Sequence, residues 1–365
     1  MIFDLSSKIT LERIPTRYYR PTDALEATRQ SRYEKLRTDI YETENEGSKA
    51  AAEEIAALIL AKEKLNQACV LGIPGGSSPM KVFSELVRMH KENGLSFKNV
   101  YIFNIADFYP VQKNQHSNAR LLREYLISKI DIPADHFFTM EDIERENVFK
   151  FCQEYEAKIE ELGGLDLVLA TIGQVGNLAY NEPGSQAGST TRLMLLDAQS
   201  RGDLQQFYIS SADVPVSAIT MGIGTVLAAK KVILIAWGEA KSNVIKEIIE
   251  AQANDSVPAS FLQTHKNAHA ILDLTAAQHL TRISRPWMVG SCDWTDKLIR
   301  RAIVWLSEQT LKPILKLTNK DYNQYGLNEL LALHGSAYNV NIKIFNDLQR
   351  TITGWPGGKP NADDS

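Results

Sequence analysis

The chain has 365 residues, of which 44% are hydrophobic and 23% charged, a composition typical of a folded globular protein. Its 40 basic and 44 acidic residues give a net charge of −4, which excludes an electrostatic basis for binding nucleic acid or an anionic membrane. The strongest apolar run, Val232 to Trp237, is far shorter than the ~20 residues of a membrane span. Three scattered cysteines without a zinc pattern predict a cytoplasmic protein, no structural metal and no disulfides.

The first 47 residues are polar and predict an N-terminal arm and a helix. From Ser48 onward apolar residues recur at helical spacing, and short apolar runs then alternate with helical segments. This alternation predicts one α/β domain over residues 48–285, with a mostly parallel sheet and helices on both of its faces. The predicted strands are Ala68–Ile73, Val100–Ile105, Leu165–Gly173, Lys231–Gly238 and Asn267–Leu274.

Residues 286–352 have a different pattern, which predicts a C-terminal helical extension packed on the α/β domain. It contains the amphipathic stretch DWTDKLIRRAIVWLSEQT and, at residues 312–317, KPILKL, which predicts a short strand. Residues 353–365 are rich in Pro, Gly and Asp without apolar periodicity, and they predict a linker.

The turn Gly75-Gly76-Ser77-Ser78-Pro79 follows a predicted strand and opens a predicted helix. Such a turn binds phosphate through free N–H groups at the helix start, but a simple helix cap requires the same residue types. Both interpretations remain open on spacing alone.

Three further polar residues stand near strand ends. Glu182 is a candidate acid or base, Arg192 a candidate phosphate ligand, and Lys241 follows the fourth strand. A solvated surface loop, a surface ion pair and a solvated lysine explain them equally well. The seven histidines show no metal-binding spacing.

Taken together, several segments resemble the glucosamine-6-phosphate deaminase/isomerase family over roughly residues 48–280. They are VLGIPGGSSPMKVFSELV, SFKNVYIFNIADFYP, GNLAYNEPGS, TTRL, ITMGIGTVLAAKKVILIAWGEAKS and ASFLQTHKNAHAILD. The resemblance implies a Rossmann-like fold, a hexose-phosphate substrate, no cofactor and a homo-oligomer. It also implies conversion of glucosamine 6-phosphate to fructose 6-phosphate and ammonia.

The resemblance also assigns site residues. It implies that the substrate phosphate is bound by Gly75, Gly76, Ser77, Ser78, Ser185, Arg192 and Lys241. A further phosphate-side lysine of the family is replaced by Met194, which removes one positive charge.

The catalytic positions depart from the family pattern. The base that abstracts the C2 proton is replaced by Ala106, and the Asp and the ring-opening His are replaced by Val175 and Asn177. Glu182 is retained, and Asp107 is an acid one position after Ala106. Because successive side chains of a strand face opposite ways, Asp107 could act as a base only if the chain departed from strand geometry.

The segment after residue 286 resembles the linker region of longer chains in which a deaminase-like domain precedes a LmbE/PIG-L-like zinc deacetylase. A fused C-terminal deacetylase-like domain is therefore expected, although no zinc-ligand motif occurs here.

Whether the chain is an enzyme stays open at this stage. The leading hypothesis is a deaminase/isomerase-like protein of amino-sugar metabolism that binds a hexose phosphate and has low or lost activity, with Glu182 and Asp107 as its catalytic candidates. The alternatives are a non-catalytic sugar-phosphate-binding and oligomerisation module, and a hydrolase similar to 6-phosphogluconolactonase, suggested by Ser117 and Asn118.

Overall fold

A computed structural model describes residues 14–110, 117–141, 143–205, 208 and 210–353 of the chain. Residues 1–13 of the predicted arm and 354–365 of the predicted linker lie outside this range. The described chain falls into two compact units, one of residues 15–20 and 33–280 and the other of residues 14, 21–32 and 281–353. The predicted packing of the C-terminal extension on the α/β domain stays a prediction.

The larger unit is built on a seven-stranded parallel sheet in the order β1-β10-β9-β6-β2-β3-β5. The strands are β1 (Arg37–Tyr41), β2 (Cys69–Ile73), β3 (Val100–Asn104), β5 (Phe137–Phe138), β6 (Leu167–Thr171), β9 (Val232–Ala236) and β10 (Ala268–Asp273). All five predicted strands are present, and the mostly parallel α/β fold is confirmed.

A second sheet of three antiparallel strands was not predicted. Its order is β4-β8-β7, formed by Ala106–Phe108, Ser217–Thr220 and Arg192–Leu195 respectively. The arm prediction also missed β1, which pairs with β10 at one edge of the parallel sheet.

The helices of the larger unit follow the predicted positions closely. They are α2 (Glu44–Lys64), α3 (Met80–Asn93), α4 (Asn118–Tyr125), α5 (Val148–Glu161), α6 (Ala198–Leu204), α7 (Ile223–Leu227) and α8 (Ser242–Glu250). Alternate strand residues such as Leu71, Ile102 and Leu169 pack with α2 and α3 on one face of the sheet. On the opposite face, the ring of Phe103 stands edge-on to Tyr155 of α5, with ring centroids 5.3 Å apart.

The smaller unit is helical and has its own apolar core. Its helices are α1 (Ala24–Gln30), α9 (Thr281–Ser284), α10 (Asp296–Thr310), α11 (Asn319–Gln324), α12 (Asn328–His334) and α13 (Ala337–Thr353). Trp287, Ile303, Tyr322 and Ile344 belong to this core. The predicted strand at residues 312–317 is wrong, because Ile314–Lys316 forms a 3₁₀ turn that follows Pro313. No helix among the described residues is long and apolar enough to cross a membrane.

Candidate functional site

The carboxyl ends of β2, β3, β6 and β9 meet at one edge of the parallel sheet, where Ile73 lies opposite Asn104 and Thr171 opposite Ile235. A cavity of about 270 Å³ lies beyond these strand ends. In open parallel sheets this edge is the usual place for a ligand. The cavity is lined by Pro74, Gly75, Gly76, Ser77, Ser78, Ile105, Ala106, Asn118, Thr171, Ile172, Gly173, Asn177, Ala179, Tyr180, Ser200, Asp203, Leu204 and Lys241.

The loop from Pro74 to Pro79 forms one wall of the cavity and needs its glycines. A Cβ at Gly75 would collide with the Cα and Cβ atoms of Asn118, so the loop touches the start of α4 closely. Gly76 has a φ of +91°, a conformation that side-chain-bearing residues rarely adopt. The indole N–H of Trp237 donates to the carbonyl of Ser78 at 2.9 Å and anchors the end of the loop.

Lys241 brings the positive charge to this loop. Its Nζ donates to Ser78 Oγ at 3.2 Å, and burial lowers the pKa of its ammonium group. Within the described part of the chain, no carboxylate forms an ion pair with Lys241. A half-buried cation without a carboxylate partner, next to a glycine- and serine-rich loop, is an arrangement that suits a phosphate group.

Ser185 and Arg192 are also brought together, but neither lines the cavity. Arg192 lies on β7, and its guanidinium donates to Asn181 Oδ1 at 2.8 Å, to Ser185 Oγ at 3.0 Å and to the carbonyl of Thr190 at 3.3 Å. Burial lowers the pKa of Arg192, and no described carboxylate pairs with it. Their predicted role as phosphate ligands stays a prediction.

Ala106 and Asp107 lie on β4 and face opposite ways. Ala106 is part of the cavity wall, whereas Asp107 is fully buried and does not line it. The Asp107 carboxylate accepts hydrogen bonds from the backbone N–H groups of Phe108, Asn118 and Ala119 at 2.8–2.9 Å. It also accepts from the side chains of Asn104 and Ser117.

These contacts hold the Asp107 carboxylate against the start of α4. Burial raises the pKa of Asp107 to about 6, and the five hydrogen bonds oppose this rise. The predicted catalytic role of Asp107 receives no support from this geometry, because strand alternation directs the carboxylate away from the cavity.

Glu182 reaches the cavity through a serine. It is 4% exposed and does not line the cavity itself, but its Oε2 accepts a hydrogen bond of 2.9 Å from Ser200 Oγ, which does. Its other oxygen, Oε1, is buried without a hydrogen-bond partner. Burial raises the pKa of Glu182 to about 7, although the bond from Ser200 opposes the rise. A carboxyl group with such a pKa can both give and take a proton near neutral pH.

The three other replaced positions lie in different surroundings. Asn177 lines the cavity, and its amide is held by Gly173 N–H at 3.1 Å and the carbonyl of Ala179 at 3.1 Å. Val175 is partly exposed and does not line the cavity, and Met194 is half-buried on β7.

Sequence reasoning missed three polar residues of the cavity wall. Asp203 and Ser200 lie on α6, and burial together with the nearby Asp197 raises the pKa of Asp203. Tyr180 stands next to Asn118, whose side-chain amide donates to the Tyr180 oxygen at 3.4 Å and to the carbonyl of Ala106 at 2.9 Å. No motif marks α6, so sequence offered no signal for Ser200 or Asp203. Among the described residues, no group of three His, Cys, Asp or Glu side chains is placed to hold a metal ion.

Comparison with curated proteins gives long matches. A glucosamine-6-phosphate deaminase-like protein of Bacteroides thetaiotaomicron is 56% identical over 364 residues, which are 99% of this chain and 55% of that protein. The chain therefore spans about half the length of this relative. The glucosamine-6-phosphate deaminase of Alkaliphilus oremlandii is 37% identical over 227 residues, which are 62% of this chain and 94% of that enzyme.

Solved structures share the fold of the larger unit. A monomeric glucosamine-6-phosphate deaminase superposes with a TM-score of 0.63 at 27% identity and covers 67% of this chain and 99% of its own. A 6-phosphogluconolactonase of Trypanosoma cruzi has a TM-score of 0.54 at 24% identity, covering 67% of this chain and 97% of its own, which is a likeness of fold. A model of the family described as glucosamine-6-phosphate isomerases/6-phosphogluconolactonase matches residues 42–271. On this match and on the cavity at the strand ends, the chain belongs to the glucosamine-6-phosphate isomerase/6-phosphogluconolactonase family.

Proposed function

We propose that the protein binds an amino-sugar phosphate in the cavity at the carboxyl ends of the strands, and that its deaminase/isomerase activity is low or lost. The observation that carries the proposal is Lys241, a half-buried cation whose Nζ lies 3.2 Å from Ser78 Oγ in the glycine- and serine-rich loop. An anionic group at this place would supply the missing counter-charge and accept from the hydroxyls of Ser77 and Ser78.

The charge pattern of the cavity wall supports an amino sugar in particular. Lys241 contributes a positive charge to the wall and Asp203 a carboxyl group. Glucosamine 6-phosphate carries a phosphate and an ammonium group, so a cavity with one cation and one carboxyl group complements it.

The low activity follows from the wall at Ala106. Conversion of an aldose to a ketose requires a group that removes a proton from carbon, and such groups each contribute ~10²–10⁴-fold to the rate. An alanine side chain and the amide of Asn177 cannot take up that proton. Tyr180 and Asn118 stand near Ala106, but burial raises the pKa of Tyr180, which makes it a poor base at neutral pH.

The test is calorimetric binding of glucosamine 6-phosphate to the wild type and to Lys241→Met. We expect measurable binding by the wild type and a loss of about 1–3 kcal/mol in the variant, since a charge-assisted contact to phosphate disappears. Lys98→Met removes an exposed lysine and serves as the matched control. Equal binding by Lys241→Met and the wild type, or no binding by the wild type at millimolar ligand, would refute the proposal.

A lactonase activity is the second candidate, because family members include 6-phosphogluconolactonases. Ser117, which suggested it, is buried and caps α4 by accepting from Arg120 N–H, while its hydroxyl lies within hydrogen-bond distance of Asp107 and Glu141. These contacts favour a structural role for Ser117, and we place the lactonase second.

Three further expectations remain predictions. A homo-oligomer is one, and the solved relative described above is itself monomeric. A fused deacetylase-like domain is another, and the length of the Bacteroides relative beyond the matched residues leaves room for a domain in that protein. The third is a cytoplasmic location, which rests on the three free cysteines.

A further inference from the structure

We propose that Glu182 and Ser200 form a proton relay that opens and recloses the ring of a bound hexose phosphate, which would make the protein a mutarotase for that sugar. The inference rests on the proposed function, because it requires the sugar to bind in the cavity. It adds an activity that does not depend on removing a proton from carbon.

The geometry of the pair supports a relay. Ser200 Oγ is the only link between Glu182 and the cavity wall among the hydrogen bonds found in the described residues, at 2.9 Å from Glu182 Oε2. Ser200 is held in place at the start of α6, where its backbone N–H donates to Asp197 Oδ1 at 2.7 Å. Its hydroxyl therefore faces a carboxylate on one side and the ligand space on the other.

The second oxygen of Glu182 is an independent observation. Glu182 Oε1 is buried and has no partner, in a side chain that is 4% exposed. A structural carboxylate would be fully hydrogen-bonded, as that of Asp107 is, because an unsatisfied buried oxygen costs about 1–3 kcal/mol. An oxygen left without a partner is typical of a group that changes its protonation state.

The step is balanced in atoms and charge. Ser200 Oγ takes the proton of the sugar O1 hydroxyl while its own proton passes to Glu182 Oε2. The C1–O5 bond breaks, C1=O1 forms, and the electron pair goes to O5, which takes the proton back from Glu182 through Ser200. Rotation about C1–C2 and the reverse reaction give the other anomer, with the protein unchanged.

Ring opening moves protons only between oxygens, and these transfers need far less driving force than removal of the C2 proton. Ala106 therefore blocks enolisation without blocking ring opening. The pKa of Glu182, about 7, suits a group that must accept and return a proton in each cycle.

The experiment measures exchange between the α and β anomers of glucosamine 6-phosphate by two-dimensional exchange NMR, with catalytic amounts of the full chain. We expect saturable acceleration by the wild type. In Ser200→Ala and Glu182→Gln the protein-dependent rate should fall by about 100-fold, while calorimetric affinity for the sugar phosphate is retained. Ser200→Thr, which keeps the hydroxyl, should recover most of the rate. Ser128→Ala, which removes an exposed hydroxyl bonded only to the carbonyl of Glu124, is the control.

The outcomes separate the two proposals. Binding without acceleration by the wild type overturns the relay and leaves the proposed function intact. Acceleration that survives in both Ser200→Ala and Glu182→Gln also overturns it, since another group would then move the protons. Failure of the wild type to bind any hexose phosphate overturns the proposed function, and the relay with it.

Discussion

Ala106 and Asp107 are neighbours on one short strand, yet only Ala106 touches the cavity. Asp107 is occupied by five hydrogen-bond donors around the start of α4. A carboxyl group at position 106 would face the ligand space, which Asp107 does not. At the scale of single residues, the chemistry of this site is therefore limited by which of two adjacent positions carries the acid.

Restoring the missing groups should increase ammonia release from glucosamine 6-phosphate. We expect the double variant Ala106→Asp with Asn177→His to exceed either single variant, because both positions line the cavity and each restored group is worth ~10²-fold or more. A coupled ammonia assay measures this. High turnover by the unmodified protein would contradict our assignment of low activity.

Glu182 should make the stability of the fold depend on pH. Its pKa rises from 4.5 to about 7 on folding, so the folded state binds more protons than the unfolded state between these values. The stabilisation is complete below about pH 4.5 and is lost as pH rises through 7.

Glu182→Gln removes this dependence and keeps the hydrogen bond from Ser200. We expect the variant to gain up to roughly 3 kcal/mol relative to the wild type between pH 5 and pH 8. Urea unfolding at both pH values measures the difference, and other titrating groups cancel because they are common to both proteins. A constant difference would show that Glu182 does not titrate in this range.

At the scale of elements, the start of α4 connects the second sheet to the ligand loop. Asp107 on β4 receives the N–H groups of Asn118 and Ala119, while Asn118 packs against Gly75. The same eight-residue helix thus holds β4 and limits where the loop of residues 74–79 can lie.

Asp107→Asn should therefore weaken the fold. An amide NH₂ would face donors where the carboxylate oxygen accepts three hydrogen bonds, and we expect a loss of about 2–4 kcal/mol in the free energy of unfolding. Asp135→Asn, at an exposed aspartate, is the control for urea unfolding. If folded Asp107→Asn lost all ammonia release that the wild type shows, Asp107 would be a base after all.

Some elements could be predicted from the sequence and others could not, for a physical reason. The strands β2, β3, β6, β9 and β10 are buried on both faces and read as short apolar runs. Strand β1, with the sequence RTDIY, alternates exposed and buried residues at the sheet edge and resembles a polar arm. The strands of the second sheet have three or four residues, too few for a period to be recognised.

The site shows the same division. The loop of residues 75–78 and Lys241 follow strands whose position the sequence predicts, so their meeting could be expected. Ser200 and Asp203 reach the cavity because α6 lies beside it, which depends on tertiary packing with no local sequence pattern.

At the scale of the whole molecule, the two compact units have separate apolar cores. The cavity is lined only by residues of the unit that ends at Leu280. The core of the other unit includes Trp287, Ile303 and Tyr322, all from the helical region after residue 281.

A chain that stops after Leu280 should keep the α/β fold and bind glucosamine 6-phosphate with the affinity of the full chain. The reason is that no lining residue and no strand is removed. Circular dichroism and calorimetry measure fold and binding, with the full chain as reference. An aggregated or unfolded product would show that the larger unit depends on the C-terminal extension.

The pairing of β1 with β10 also determines when this sheet can be completed on the ribosome. Arg37 lies opposite His269, 232 residues later, whereas Cys69 lies opposite Val100, only 31 residues later. At ~5–20 residues per second, β1 leaves the ribosome on the order of 10–50 s before its partner strand is made. During that time the central strands can pair while β1 has no neighbour. The last strand of the sheet to be synthesised is therefore the one that fixes the first, and interruptions of translation before residue 273 would release chains with an incomplete sheet edge.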